Sequence, residues 1–294
     1  MRVTHIGTHQ ASLDRIANTA SAAGEAQSRV SSGKRFTRAS QDPTGMSRAL
    51  ELRASLKARE QESRNAADGL MWVNLADGKL QSTVDQLQRL KELAVRGATF
   101  TNADERGAIA TEVSHIRDTI VELANSAHQG RNIFAGFSTN DAVEKVAGVW
   151  TYQGDSGAVN RRIGDTEVVS VNVAADDVFG FNSAKDVFTV IDDFEAALLA
   201  GDRAGIDAAI AEIGVSLDTV LTGLTTLGAA GARIEAAQIR NLEDTAIIAG
   251  QLSQIEDVDL AEAVLDMQMS QTAYEAALAA FAQSTRASLV DFLR

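Results

Sequence analysis

The chain has 294 residues, of which 45% are apolar and 5% aromatic, with one proline, no cysteine and a formal net charge of −13 at pH 7. Its length fits one long domain or two to three smaller ones. The lack of cysteine excludes disulfides and thiolate metal sites, and the acidic balance argues against nucleic acid as a main partner, because neutralising phosphates needs a basic face.

The charge is uneven. Residues 1–65 carry eleven Lys/Arg against six Asp/Glu, and residues 174–294 carry six against twenty. A basic start lying against an acidic end is electrostatically favourable. No apolar run reaches the roughly 18 residues that span a bilayer as a helix. The opening MRVTHIGTHQASLDRIANTA lacks the continuous apolar stretch of a cleaved secretory signal.

In chain order, the first stripe joins Leu13, Ile16, Ala20, Ala23 and Val30 in steps that keep one helix face. GKRFTRAS (33–40) breaks this helix at Gly33. In SQDPTG (40–45), Asp42 is an N-cap, Pro43 the first helical residue, where its missing N–H costs nothing, and Met46 the first apolar position. SQDPTG is read as a joint between a terminal helix and the main rod. The next stripe, Ala66, Leu70, Val73, Ala76, Leu80, Val84, Leu87, Leu90 and Ala94, alternates threes and fours like a coiled coil. TNADE (101–105) then caps a helix carrying Ile109, Val113, Ile116, Ile120 and Leu123.

Residues 136–184 differ in character. VWTY (149–152), VNRRI (159–163) and EVVSVNV (167–173) read as strands, with YQGDSGA (152–158) as a turn between the first two. Helix returns at DVFTVIDDFEAALLAGD (186–202). The stripe Ile206, Ile210, Ile213, Leu217, Val220, Leu224, Leu227 comes next. It weakens beyond LGAAGA into Ile234, Gln238, Asn241, Thr245, Ile248, Leu252 and Ile255, where polar layers set register or the phase is lost. The last stripe runs Leu260, Val264, Met267, Gln271, Tyr274, Leu278, Phe281 and Phe292.

The expected fold is mainly α: an elongated antiparallel helical bundle, a coiled-coil rod of the N- and C-terminal halves, with a small β-rich inserted domain at the tip. Three domains are expected: a terminal coiled coil of 1–40 with 256–294, a helical rod of 41–135 with 185–255, and the insert 136–184. A pair of terminal helices has little core, so it is expected to stay disordered until other copies of the chain cover its stripes. The expected assembly residues are therefore Leu13, Ile16, Ala20, Val30, Leu260, Val264, Met267, Tyr274, Leu278, Phe281 and Phe292. The inter-domain joint is Gly33, Asp42 and Pro43.

Little points to catalysis. His5 and His9 have helical metal spacing but no completing ligand nearby, and His115 sits on a helix surface. IDDFE (191–195) and EDVD (256–259) lack calcium-loop spacing and read as solvated faces or caps. No serine has a nucleophile-elbow context. No enzyme activity, cofactor or metal is expected.

VSSGKRFTRASQDPTGMSRALELRASL (30–56), LQRLKELAVRGA (87–98) and EDVDLAEAVLDMQMSQTAYEAALAAFAQSTRASLVDFLR (256–294) resemble bacterial flagellins and their junction relatives. MRVT, the Asp42–Pro43 pair, GRNIFAGF (130–137), YQGDSG (152–157) and QTAYEAAL (271–278) are more similar to the hook–filament junction branch. That resemblance implies a structural ring between a hook-side junction protein and flagellin. It also implies unfolded export through the flagellar type III apparatus without a cleaved signal, an export chaperone on the C-terminal segment, and an extracellular place in the flagellum. Two alternatives stand beside it: a filament flagellin, and an amphipathic membrane-binding protein, which the acidic C-terminal half opposes on anionic lipid.

Overall fold

The computed structural model describes residues 2–99 and 102–292, with side chains described for 9–99 and 102–283. Helices α1 (Arg2–Ser32), α2 (Pro43–Gly97) and α3 (Ala103–Ala124) come first. Six short strands succeed them: β1 (Ala127–His128), β2 (Arg131–Asn132), β3 (Val143–Val146), β4 (Val149–Tyr152), β5 (Asn160–Arg162) and β6 (Val168–Ser170). The chain returns to helix in α4 (Ala175–Val178), α5 (Val187–Ala200), α6 (Arg203–Glu256) and α7 (Leu260–Phe292). The fold is thus mainly α, with a small region of short antiparallel strands between two sets of long helices. The chain forms two compact units: Met1–Ala58 with Asp244–Arg294, and Arg59–Glu243.

The larger unit is organised by the stripes. On α2, Ala66, Val73, Ala76, Leu80, Val84, Leu87, Leu90 and Ala94 are buried; on α3, Ile109, Val113, Ile116 and Ile120; on α6, Ile206, Ile213, Val220, Leu227 and Ile234. These residues form one continuous apolar cluster. Asn102 caps α3, its side chain accepting from the Asp104 N–H at 3.1 Å. Asp186 caps α5 through the Thr189 N–H at 2.9 Å, and Gly201 ends that helix in the left-handed conformation, φ +69°. The weakened part of the last long stripe keeps its phase: Ile234 and Asn241 are buried and Gln238 half-buried.

The strands form three separate two-stranded antiparallel hairpins, β1–β2, β3–β4 and β5–β6. Gln129–Gly130 and Ala147–Gly148 turn the first two, all four with positive φ. That conformation matches the twist of tight two-residue hairpins and favours glycine. VWTY pairs with VEKV (143–146) across the Ala147–Gly148 turn, so YQGDSGA is a link between two sheets rather than a hairpin turn. Residues of the segment 136–184, including Val143, Ile163, Val171 and Phe179, belong to the same buried cluster as α2, α3, α5 and α6. Phe179 meets Phe134 edge-on at 6.0 Å and packs on Phe188 at 5.5 Å.

In the smaller unit, α1 packs against α7. Small residues set the closeness of the pair: Ala26 on α1 and Ala263 on α7 are fully buried. Arg29 reaches Asp266 at 3.7 Å.

Candidate assembly surface

Gly33, Asp42 and Pro43, expected as an inter-domain joint, lie within the smaller unit and shape helix ends there. Gly33 adopts φ +67° and its N–H returns to the Arg29 carbonyl at 2.9 Å, closing α1 with a left-handed cap. Asp42 caps α2 by accepting from the Gly45 N–H at 2.8 Å, and Pro43 is the first residue of that helix. Between these points, the Gln41 side-chain oxygen accepts from the N–H groups of Thr37 and Arg38, and Phe36 is buried.

The other strand of the joint breaks at the same level. Helix α6 ends at Glu256, and Asp259 caps α7 by accepting from the Ala261 N–H at 2.9 Å. The two breaks are stitched together. The Arg35 N–H donates to the Glu256 carbonyl at 2.6 Å and the Val258 N–H to the Gly33 carbonyl at 3.0 Å, around an antiparallel Lys34–Asp257 bridge. Lys34 and Asp257 also pair at 2.6 Å, which raises the ammonium pKa and lowers that of the carboxyl. Both groups face water, so the pair positions more than it stabilises.

The sequence predicts caps or solvated faces for EDVD (256–259). Asp259 is a cap, but Glu256 is buried, held by Arg53 at 2.8 Å and Lys34 at 3.3 Å. IDDFE behaves similarly: Asp192 and Glu195 bind Arg117 at 2.9 and 2.7 Å, and Asp192 also takes Lys145 and the Trp150 indole N–H. Burial pushes the Asp192 carboxyl up, but hydrogen bonds from Lys145, Trp150 and Arg117 outweigh it and hold the group below the ordinary 3.8. Burial raises the Tyr152 phenol, which donates to the Asp155 carbonyl at 2.7 Å. Each polar group in this cluster serves a structural partner.

Along the terminal pair, Ile16, Val30, Val264, Met267, Tyr274 and Phe281 are half-buried. Leu13, Ala20, Leu260 and Leu278 are exposed. The side chain of Phe292 lies outside the described residues, as does that of His5. His9 stacks against Phe281 with ring centroids 4.9 Å apart, so its ring serves packing. His115 is exposed on α3. Among the described residues no group of three or more His, Cys, Asp or Glu is placed to hold a metal ion.

A second face of α7 carries apolar residues outside the expected stripe. Leu265 and Met269 are 60% and 63% exposed, and at 3.6 residues per turn they lie roughly opposite Ala263, Met267 and Tyr274. Exposed Ala273, Ala276 and Ala280 continue that face. Its sequence signal is a second set of threes and fours beside the expected stripe: Leu265, Met269, Ala273, Ala276 and Ala280. This side, on which Glu262 also lies, keeps its described apolar side chains in water, while α1 packs against α7 on the other.

Family models place the chain against known proteins. The bacterial flagellin N-terminal helical region matches residues 3–139 and the bacterial flagellin C-terminal helical region matches 210–293. A flagellin of Halalkalibacterium halodurans is 26% identical over 264 residues, covering 89% of this chain and 88% of that protein. Flagellar hook-associated protein 3 of Salmonella typhimurium is 25% identical, with all of both chains covered. Among solved structures, a putative flagellar hook-associated protein from Vibrio parahaemolyticus superposes with a TM-score of 0.70 at 20% identity, covering 74% of this chain and 100% of that one.

Proposed function

The chain belongs to the bacterial flagellin family, and on that premise we propose that it is a structural subunit of the flagellum forming the junction between hook and filament. The observation that carries the assembly part is α7, apolar on two faces with only one of them covered by α1. The junction role is supported by the whole-length match to hook-associated protein 3, and the fold agrees with that of a hook-associated protein. Its partners are other copies of itself, a hook-side junction protein and flagellin, with an export chaperone on the C-terminal segment before release. It leaves the cell unfolded through the flagellar type III apparatus and resides in the extracellular flagellum. No helix among the described residues is long and apolar enough to cross a membrane.

Within this reading the chain divides into a terminal coiled coil (1–40 with 256–294), whose remaining apolar faces other copies cover, and a helical domain (41–135 with 185–255), whose apolar cluster takes in residues of the insert (136–184). The assembly residues are Leu13, Ile16, Ala20, Val30, Leu260, Val264, Met267, Tyr274, Leu278, Phe281 and Phe292, to which Leu265 and Met269 are added. The second reading, a filament flagellin, draws on a flagellin match of 26% over most of the chain. Complementation separates the two. Cells lacking their junction subunit, given this chain, should retain filaments on their hooks, with the tagged protein confined to one band at the base of each filament. Label along the whole filament supports the second reading, and flagellin shed into the medium defeats the first.

A further inference from the structure

The apolar cluster of the larger unit stops at Ala66 on α2 and Ala237 on α6. Beyond it, within 59–65 and 238–243, the buried residues are Glu62 and Asn241, both polar. Both are bonded to one segment, the end of β5 and the loop joining it to β6. Arg162 reaches the Glu62 carboxylate at 3.4 Å, and the Asn241 amide donates to the Ile163 carbonyl at 3.1 Å. The same loop is tied to α2 by Arg59–Asp165 and Arg161–Asp68, each 2.7 Å, and by the Asn65 amide on the Arg162 carbonyl at 3.0 Å. On its other side Glu167 takes Arg240 at 2.6 Å and Arg233 at 3.4 Å.

We propose that the polar residues of 161–167 form a latch around the buried Ile163, holding the end of α2 in this unit to the end of α6 and opening at lower free energy than the rest of the apolar cluster. Apolar burial is non-directional and shared across a cluster, so it is lost as a whole. The latch bonds are directional, and several of them reach water: the Asp165 side chain is 70% exposed and that of Arg162 58%, while Glu62 and Asn241 are buried. Each such bond contributes little alone, so this end opens at lower free energy than the cluster behind it. Whatever grips the β5–β6 hairpin therefore controls the order of residues 59–68 and 233–243.

Amide hydrogen exchange on the full chain tests this. Asp165→Asn with Glu167→Gln removes the charged ties to Arg59, Arg233 and Arg240 and leaves every buried apolar residue in place. Exchange in 59–68 and 233–243 should rise about tenfold or more, with 76–94 and 206–227 unchanged. Unchanged rates in the latch segments, or equal acceleration throughout the unit, overturn the proposal. Should the double variant fail to fold, the wild type compared at about 0.05 M and about 1 M NaCl gives the same decision, because screening weakens exposed ion pairs and spares apolar burial. Selective acceleration in high salt supports the latch, and a salt-independent pattern refutes it.

Discussion

Leu265→Gln combined with Met269→Gln is the sharpest test of the second face of α7. The structure leaves about three-fifths of each side chain in water. Burying a whole Leu or Met contributes about 1.5–3 kcal/mol, so the exposed share is about 1–2 kcal/mol at each position. Glutamine matches them in size and in helix propensity, so the monomer should keep its helicity and its melt. Assembly, by contrast, forfeits about 2–4 kcal/mol per subunit, before counting amides left without partners. That corresponds to a roughly 30- to 1,000-fold rise in the concentration needed to assemble. The assay is addition of purified monomer to cells lacking the junction subunit, scoring the concentration for half-maximal incorporation at hook ends, alongside circular dichroism of the free protein. Half-maximal incorporation within about threefold of wild type would refute the argument that this face is covered. Loss of helicity in the monomer would show that the face already has an intramolecular partner. Ala263→Asp serves as the contrast, because Ala263 is buried and a carboxylate there should separate α1 from α7 in the free chain.

Three further outcomes are expected. Gly136→Ala forces an L-residue to φ +68° and drives its methyl into Asp155, so the urea midpoint of the larger unit, read by tryptophan fluorescence, should fall by the equivalent of about 2–3 kcal/mol; an unshifted midpoint contradicts the placement of that turn. Because the folded Asp192 carboxyl lies below its ordinary value, its contribution is present above the unfolded pKa near 4 and is lost as pH falls through the folded value. Asp192→Asn should therefore cost about 1–2 kcal/mol at pH 7, with the gap to wild type closing as pH drops from about 5 to about 3; a pH-independent gap refutes the sign. Deleting 138–183 removes Val143, Ile163, Val171 and Phe179 from the buried cluster, so the remaining helices should lose their cooperative melt, whereas a preserved transition would make that segment a separable module.

The range of each force decided which features were legible in the sequence. The α2 stripe through Val73, Leu80, Leu87 and Ala94 was readable because helical period and burial are linked along one segment. Gly33, Asp42 and Pro43 were readable because capping is local. Asn241 kept the phase of a stripe that looked broken; its meaning depends on the Ile163 carbonyl, 78 positions away. The pairing of Arg161 with Asp68 spans 93 positions, and no local pattern encodes it. For the same reason the β-rich segment looked detachable: its strands are local, while the buried contacts of Ile163 and Val171 are with distant helices. The second face of α7 was visible as spacing, but an alanine-rich helix has weak contrast between its sides.

The stitched joint also acts on the chain's history. Arg35 bonds to Glu256 and Arg29 to Asp266, so the pair closes only when two stretches more than two hundred residues apart are both present. A polypeptide interrupted anywhere between them, by stalled synthesis or a protease cut that lets the pieces separate, keeps its α1 but never completes the surface that α1 and α7 build together. On the proposed function, a growing structure that takes up only the closed pair would reject such fragments without any separate inspection.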